Sequence, residues 1–162
     1  EKSAGDFLKC CGKLTIVRTG LYLSNKGGMW PQLMMGLPFG LLPCFGDGNQ
    51  MYSWIYEKDY TRAFSFLLEE GVSGAVNMTA PGVCSQLDIL KEVKRAHRSR
   101  LFLVHIPESI LHLLPGRQTR LLLDSCNAIP HLLLEKGFQF EYPEIKDAVY
   151  SLKNESKSGD RI

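Results

Sequence analysis

The stretch Leu14-Thr15-Ile16-Val17-Arg18-Thr19-Gly20 decides how this chain is read. Its first four residues are apolar or β-branched without alternation, the pattern of a strand covered on both faces in a parallel sheet. Gly20 closes the run with a turn at the carboxyl edge, where open α/β sheets place their ligands. Such a strand wants neighbours on both sides. The short segment ahead of it carries no dinucleotide-binding fingerprint, so the sequence reads as half of a ligand site.

Working outward, Gly27-Gly28 opens a loop, and residues 29–39 are apolar with Pro31 and Pro38 as breakers, which predicts a short helix and turn under the core. Phe45-Gly46-Asp47-Gly48-Asn49-Gln50 is rich in residues that tolerate positive φ and predicts a tight turn feeding a strand over 51–55. Asp59 is expected to cap a helix whose Tyr60, Ala63, Phe64, Leu67 and Leu68 recur on one face, with Gly71 as its stop. A second buried strand is predicted over 74–79, closed by Ala80-Pro81. Ser85 and Asp88 have the spacing of a capping box for a helix to about Arg98, and 101–106 reads as a third strand. Helical pieces follow at 108–114 and 117–124. Pro130 is expected at the first position of a helix over 132–136, ended by Gly137. Residues 138–142 alternate as a short strand, Pro143 starts a last helix on Ile145, Ala148, Val149 and Leu152, and the polar run from Asn154 is expected to fray. No repeat or linker divides the chain; the expected organisation is one unit over 1–152 and a flexible tail over 153–162.

Composition sets the class. With 162 residues, 44% hydrophobic and 22% charged, the chain has the usage of an ordinary globular domain, and it is long enough to bury about two thirds of its unfolded surface. A net charge of +2 without aromatic interleaving of the basic residues disfavours nucleic acid. No apolar run reaches the ~18 residues of a membrane span, and no membrane partner is expected. Five cysteines, with neither a CxxC pair nor metal-ligand spacing, fit reduced thiols in the cytoplasm or another reducing compartment, and no metal site is expected.

Few residues carry chemistry by spacing. Lys91, Lys94, Arg95, His97, Arg98 and Arg100 gather at one helix end, which a solvated face and the helix dipole explain. His105, His112 and His131 have no partner acid at readable spacing and are read as structural. Neither Gly46-x-Gly48 nor Gly27-Gly28 follows a strand and opens a helix as a phosphate loop does. Gln50, Ser53 and Trp54 combine an amide, a hydroxyl and a large aromatic beyond a glycine turn. They suit a pocket wall or strand packing equally. No nucleophile or acid/base pair emerges, so no catalytic residue is assigned.

Taken in order, Val17-Arg18-Thr19-Gly20, Gly27-Gly28, Gly46-x-Gly48-x-Gln50, Ser53-Trp54-Ile55, Asp59, Gly74-x-Val76-Asn77 and Thr79-Ala80-Pro81 resemble the C-terminal half of an extended short-chain dehydrogenase/reductase of the epimerase family protein branch. Leu122-Leu123, Pro130, Gly137-Phe138-x-Phe140 and Tyr142-Pro143 match that branch's closing segment. Ser24, where the family tends to have Gly, and Tyr56, where it often has His, depart from it. The resemblance implies an α/β fold: the last strands of a Rossmann-type parallel sheet plus a small substrate domain, with the N-terminal nucleotide-binding half, its glycine fingerprint and its catalytic Tyr and Lys, absent. Residues 1–8 look like the segment just after the active-site tyrosine region.

By the same resemblance the intact protein would use NADP or NAD, with Gly20, Leu21 and Tyr22 at the nicotinamide edge and Gln50, Ser53 and Trp54 on the side of a small-molecule substrate. This chain alone is expected to bind no cofactor and to be inactive. An alternative is a non-catalytic binding or interaction module derived from the substrate domain, and a third is a gapped form of an intact enzyme with Cys10-Cys11-Gly12 as the join. The strand over 14–17, if it lies at an edge, is expected to promote self-association.

Overall fold

The computed structural model describes residues 13–97, 100–111 and 123–159. The deciding stretch forms β1 (Thr15–Thr19). It pairs in parallel with β7 (Gly74–Met78), in a register running from Thr15 opposite Gly74 to Thr19 opposite Met78. Among the described residues β1 has β7 as its one strand partner. The predicted full burial is accordingly not reached: Thr15, Ile16 and Val17 are half-buried, and Arg18 and Thr19 are exposed.

After Gly20 the chain enters β2 (Leu21–Ser24), which makes a hairpin with β3 (Gly27–Gly28) and lies parallel to β6 (Trp54–Tyr56). Between them run α1 (Trp30–Met34), a 3-10 turn (Leu37–Phe39) and β4 (Leu41–Phe45). Strand β4 was not expected; its one strand partner among the described residues is β9 (Phe102–Ile106), and Pro43 is tolerated because a ring without an N–H fits a strand paired on one side. The strand expected over 51–55 is two pieces: β5 (Met51–Tyr52) runs antiparallel to β8 (Cys84–Ser85), and after Ser53 the chain switches sheets into β6.

Strand β6 divides the interior. Trp54 and Tyr56 point into a core with Leu23, Trp30, Leu33, Leu42, Ile89, Leu90 and Leu152, while Ile55 points the other way, to Ala63, Leu67, Val76, Met78 and Leu133. Period-two alternation of large side chains is what lets one short strand serve both cores.

Helix α2 (Glu57–Glu69) buries Asp59, Ala63 and Leu67, and Gly71 ends it at φ +58°, a left-handed value suited to glycine. Its apolar stripe is narrower than the sequence implies, since Phe64 and Leu68 are exposed. Asp59 is not the cap; that position belongs to Tyr56, with no side-chain cap bond. The Ser85/Asp88 box does open α3 (Gln86–His97): the Asp88 amide donates to Ser85 Oγ at 3.1 Å and the Ser85 amide returns a bond to Asp88 Oδ2 at 3.3 Å.

Strand β9 leads into α4 (Glu108–Leu111). The rest of the helices expected over 108–114 and 117–124, and His112, fall largely outside the described residues, as do Cys10 and Cys11. Pro130 caps α5 (His131–Glu135), one position earlier than expected. Residues 138–142 form no strand: Phe138 and Phe140 pack edge-on at 4.8 Å on the side of α2, and backbone groups there bond to Asp59 instead of to a neighbouring strand.

The last helix, α6 (Ile145–Gly159), buries Ala148, Val149 and Leu152 against the α3 side of the larger core. It continues past Asn154, where fraying was expected, because Glu155 is held by Lys58 at 2.8 Å and by the Tyr56 hydroxyl at 2.8 Å. No described helix is long and apolar enough to cross a membrane.

Candidate functional site at the carboxyl edge

Strands β1 and β7 end side by side, and Gly20 sits where they end. Its amide donates to Met78 O at 3.2 Å, and the next amide, of Leu21, donates to Ser53 O at 2.7 Å. A Cβ on Gly20 would lie 2.5 Å from Ser53 O and 2.8 Å from Thr79 Cγ2, so only glycine lets the chain pass between them. Leu21 is half-buried and packs against the larger core. Tyr22 stands edge-on to Tyr60 at 5.4 Å, and burial pushes its hydroxyl above the ordinary value, with Glu57 adding to the effect.

The same two residues that hem in Gly20 also hold a strap formed by residues 125–129. Ser53 Oγ donates to Cys126 O at 2.9 Å and accepts from the Ala128 amide at 2.6 Å; Thr79 Oγ1 donates to Ala128 O at 3.2 Å. Asn77 donates to Ile129 O at 3.1 Å, the Met51 amide to Ser125 Oγ at 3.1 Å, and the Cys126 amide to Met51 O at 2.8 Å. The strap was not foreseen. Its one signal was Pro130, which biases Ile129 toward extended backbone, in a run too polar to be a core strand.

Ser53 is therefore buried and doubly bonded. Trp54 is fully buried and donates its indole N–H to Gly82 O. Gln50 lies beneath the Gly46–Gly48 turn, 7% exposed, with its amide nitrogen 3.1 Å from Phe45 O, 3.1 Å from the Tyr52 hydroxyl and 3.0 Å from Gln86 Oε1. Gln86, fully buried, continues this network by accepting from the Phe45 amide at 2.9 Å and donating to Pro43 O at 3.3 Å. Low dielectric around these groups pushes the Tyr52 hydroxyl up to about 12. Gln50 and Trp54 thus sit behind the turn and the strand, whereas Gly20 and Ser53 meet at the carboxyl edge. Sequence reasoning missed Gln86 because a lone amide at a helix start carries no spacing signal.

The departures from the family pattern have local partners. Tyr56 bonds Glu155 and stacks edge-on against Tyr142 at 4.6 Å; burial pushes its hydroxyl up to about 12. Ser24 donates to Glu57 and accepts from the Lys26 amide at 3.1 Å. Among the described residues, no His, Cys, Asp and Glu group could hold a metal ion, and Cys44, Cys84 and Cys126 are free thiols. Burial pushes the Cys84 thiol up to about 12, the opposite of an activated nucleophile.

Known proteins resemble this chain in sequence and in fold. Residues 106–152 match a family model described as a domain of unknown function, DUF1731. An epimerase family protein of Staphylococcus saprophyticus is 31% identical over 157 residues, covering 94% of this chain and 51% of that protein. One from Staphylococcus aureus strain MRSA252 is 29% identical over 157 residues, with the same shares of 94% and 51%. The crystal structure of human epimerase family protein SDR39U1 (isoform 2) with NADPH matches at a TM-score of 0.80 and 26% identity, over 88% of this chain and 48% of that one. A UDP-N-acetylglucosamine 4-epimerase from Methanobrevibacter ruminantium, 15% identical, shares the fold at a TM-score of 0.76 over 98% of this chain and 51% of that one. The chain spans about half the length of the curated relatives it matches. Over nearly its whole length the chain is similar to about half of each of these epimerase family proteins, and its fold is that of the C-terminal portion of an extended short-chain dehydrogenase/reductase.

Proposed function

We propose that this chain supplies the substrate-side half of an NAD(P)-dependent epimerase- or reductase-like protein acting on a small molecule. The observation that carries this reading is Gly20, threaded without room for a Cβ between Ser53 and Thr79 at the carboxyl ends of parallel strands. That is where an open α/β sheet receives its ligand. Gly20, Leu21 and Tyr22 would border the nicotinamide by backbone and shape. Ser53 would stand on the substrate side, with Gln50 and Trp54 supporting its wall from behind. When bound, the cofactor supplies hydride transfer.

The residues present suit the nicotinamide edge and not the phosphates. No G-x-G-x-x-G strand–turn–helix occurs in the sequence, so no helix N-terminus of that kind can cradle the pyrophosphate. The side of β1 away from β7 would receive a strand of a nucleotide-binding half. Free thiols at Cys44, Cys84 and Cys126 suit the cytoplasm or another reducing compartment. The human relative was solved with NADPH, which makes NADPH the first probe.

The test is a fusion of the nucleotide-binding half of that human relative to this chain, followed by nicotinamide fluorescence. Saturable NADPH binding by the fusion supports the reading. A folded fusion without binding would favour the alternative, a non-catalytic interaction module that keeps the substrate-domain surface.

A further inference from the structure

We propose that Ser53 is a positioning residue: its hydroxyl locks the strap of residues 125–129 against the Gly20 turn, so that the rim of the crevice and the cofactor edge move as one unit. This inference rests on the proposed crevice and adds a device within it.

Three observations converge. Ser53 uses both faces of its hydroxyl on the strap, donating to Cys126 O and accepting from the Ala128 amide, while its carbonyl accepts from the Leu21 amide. Thr79, the other wall of Gly20, bonds Ala128 O through its hydroxyl. A Cβ at Gly20 would have no room beside either residue, so the turn cannot move toward them without displacing a residue that holds the strap. The strap turns Ser125, Cys126 and Asn127 to solvent, placing a thiol and an amide on the rim while its backbone is anchored from below. A small buried hydroxyl with two strap bonds does little for the hydrophobic cores, which lie around Trp54 and Ile55 on either side of β6. Its effect is on position.

Amide hydrogen exchange of the full chain tests this without a ligand, comparing wild type with Ser53→Ala and, independently, with the near-isosteric Thr79→Val. Loss of either hydroxyl is expected to speed exchange at Ala128 and also at Gly20 and Leu21 by about fivefold or more, leaving Val76, Leu90 and Val149 at wild-type rates. Ser53→Thr, which keeps the hydroxyl, should restore protection at Ala128. Faster exchange at Ala128 alone would overturn the coupling, and so would uniform acceleration across the cores, which reports general destabilisation. If Ser53→Ala does not fold, Thr79→Val carries the same comparison. Because no cofactor enters, failure here falls on the coupling, whereas a fusion that fails to bind NADPH falls on the crevice reading.

Discussion

Asp59 Oδ2 accepts a hydrogen bond from the backbone amide of Tyr142 at 2.8 Å, tying the first turn of α2 to a segment 83 positions away. Its other oxygen accepts from the Glu141 amide at 3.0 Å and pairs with Arg62 at 2.8 Å. The carboxylate is 1% exposed, so it does for residues 141–142 what a neighbouring strand would do. Asp59→Ala would orphan two amides at once and is expected to cost about 3 to 5 kcal/mol in urea unfolding. A loss under about 1 kcal/mol would mean that water replaces the carboxylate at no cost.

Gln50→Ala removes the amide that joins Phe45, Tyr52 and Gln86. Gln86 Oε1 keeps the Phe45 amide as a donor, so the cost is that of the buried bonds lost with the Gln50 amide, about 1 to 3 kcal/mol in all. In the NADPH-binding fusion, a ligand affinity that stays within about twofold while thermal unfolding drops would assign Gln50 to support of the wall. Weakened ligand binding without loss of stability would assign it to direct contact.

How much of this was legible in advance differs between the parts. The strands over 14–17, 74–79 and 101–106 and the capping box were readable, because short mainly apolar runs bounded by Gly or Pro and Ser85-x-x-Asp88 are local signals. Strand β4 was hidden by Pro43, and its pairing with β9 is revealed only by tertiary structure. The Asp59 assignment failed for a related reason: a carboxylate in a first turn suits the helix dipole by sequence, and its partners lie beyond any local window. The strap was illegible because groups from two separate segments, 51–53 and 77–79, hold it.

Glu155 gives the fold a pH dependence. Burial pushes its carboxyl upward, but bonds from Lys58 and the Tyr56 hydroxyl outweigh this and hold it below its ordinary 4.5. A carboxylate depressed in the folded state stabilises it above the unfolded value, and that contribution is lost as pH falls through the folded one. Between about pH 5 and about pH 3 the Tm of wild type should therefore fall more than that of Glu155→Gln. Parallel Tm profiles would show that the cluster adds nothing.

Among the described residues β1 has one strand partner, and a strand paired on one side is expected to promote self-association of the chain. Ile16 is half-buried on this strand, and Ile16→Lys should shift the chain toward monomer in light scattering at high concentration. A clean wild-type monomer under those conditions would contradict the expectation.

We propose that the residues around Gly20 and Ser53 form the substrate side of a cofactor crevice, and the 162-residue sequence holds no G-x-G-x-x-G turn to grip the pyrophosphate. Titration of the 162-residue chain alone with NADPH, followed by nicotinamide fluorescence, tests it most directly. Weak, non-saturating binding or none is expected, because the pyrophosphate-cradling turn is not in the sequence. Saturable binding in the low-micromolar range by this chain alone would contradict it.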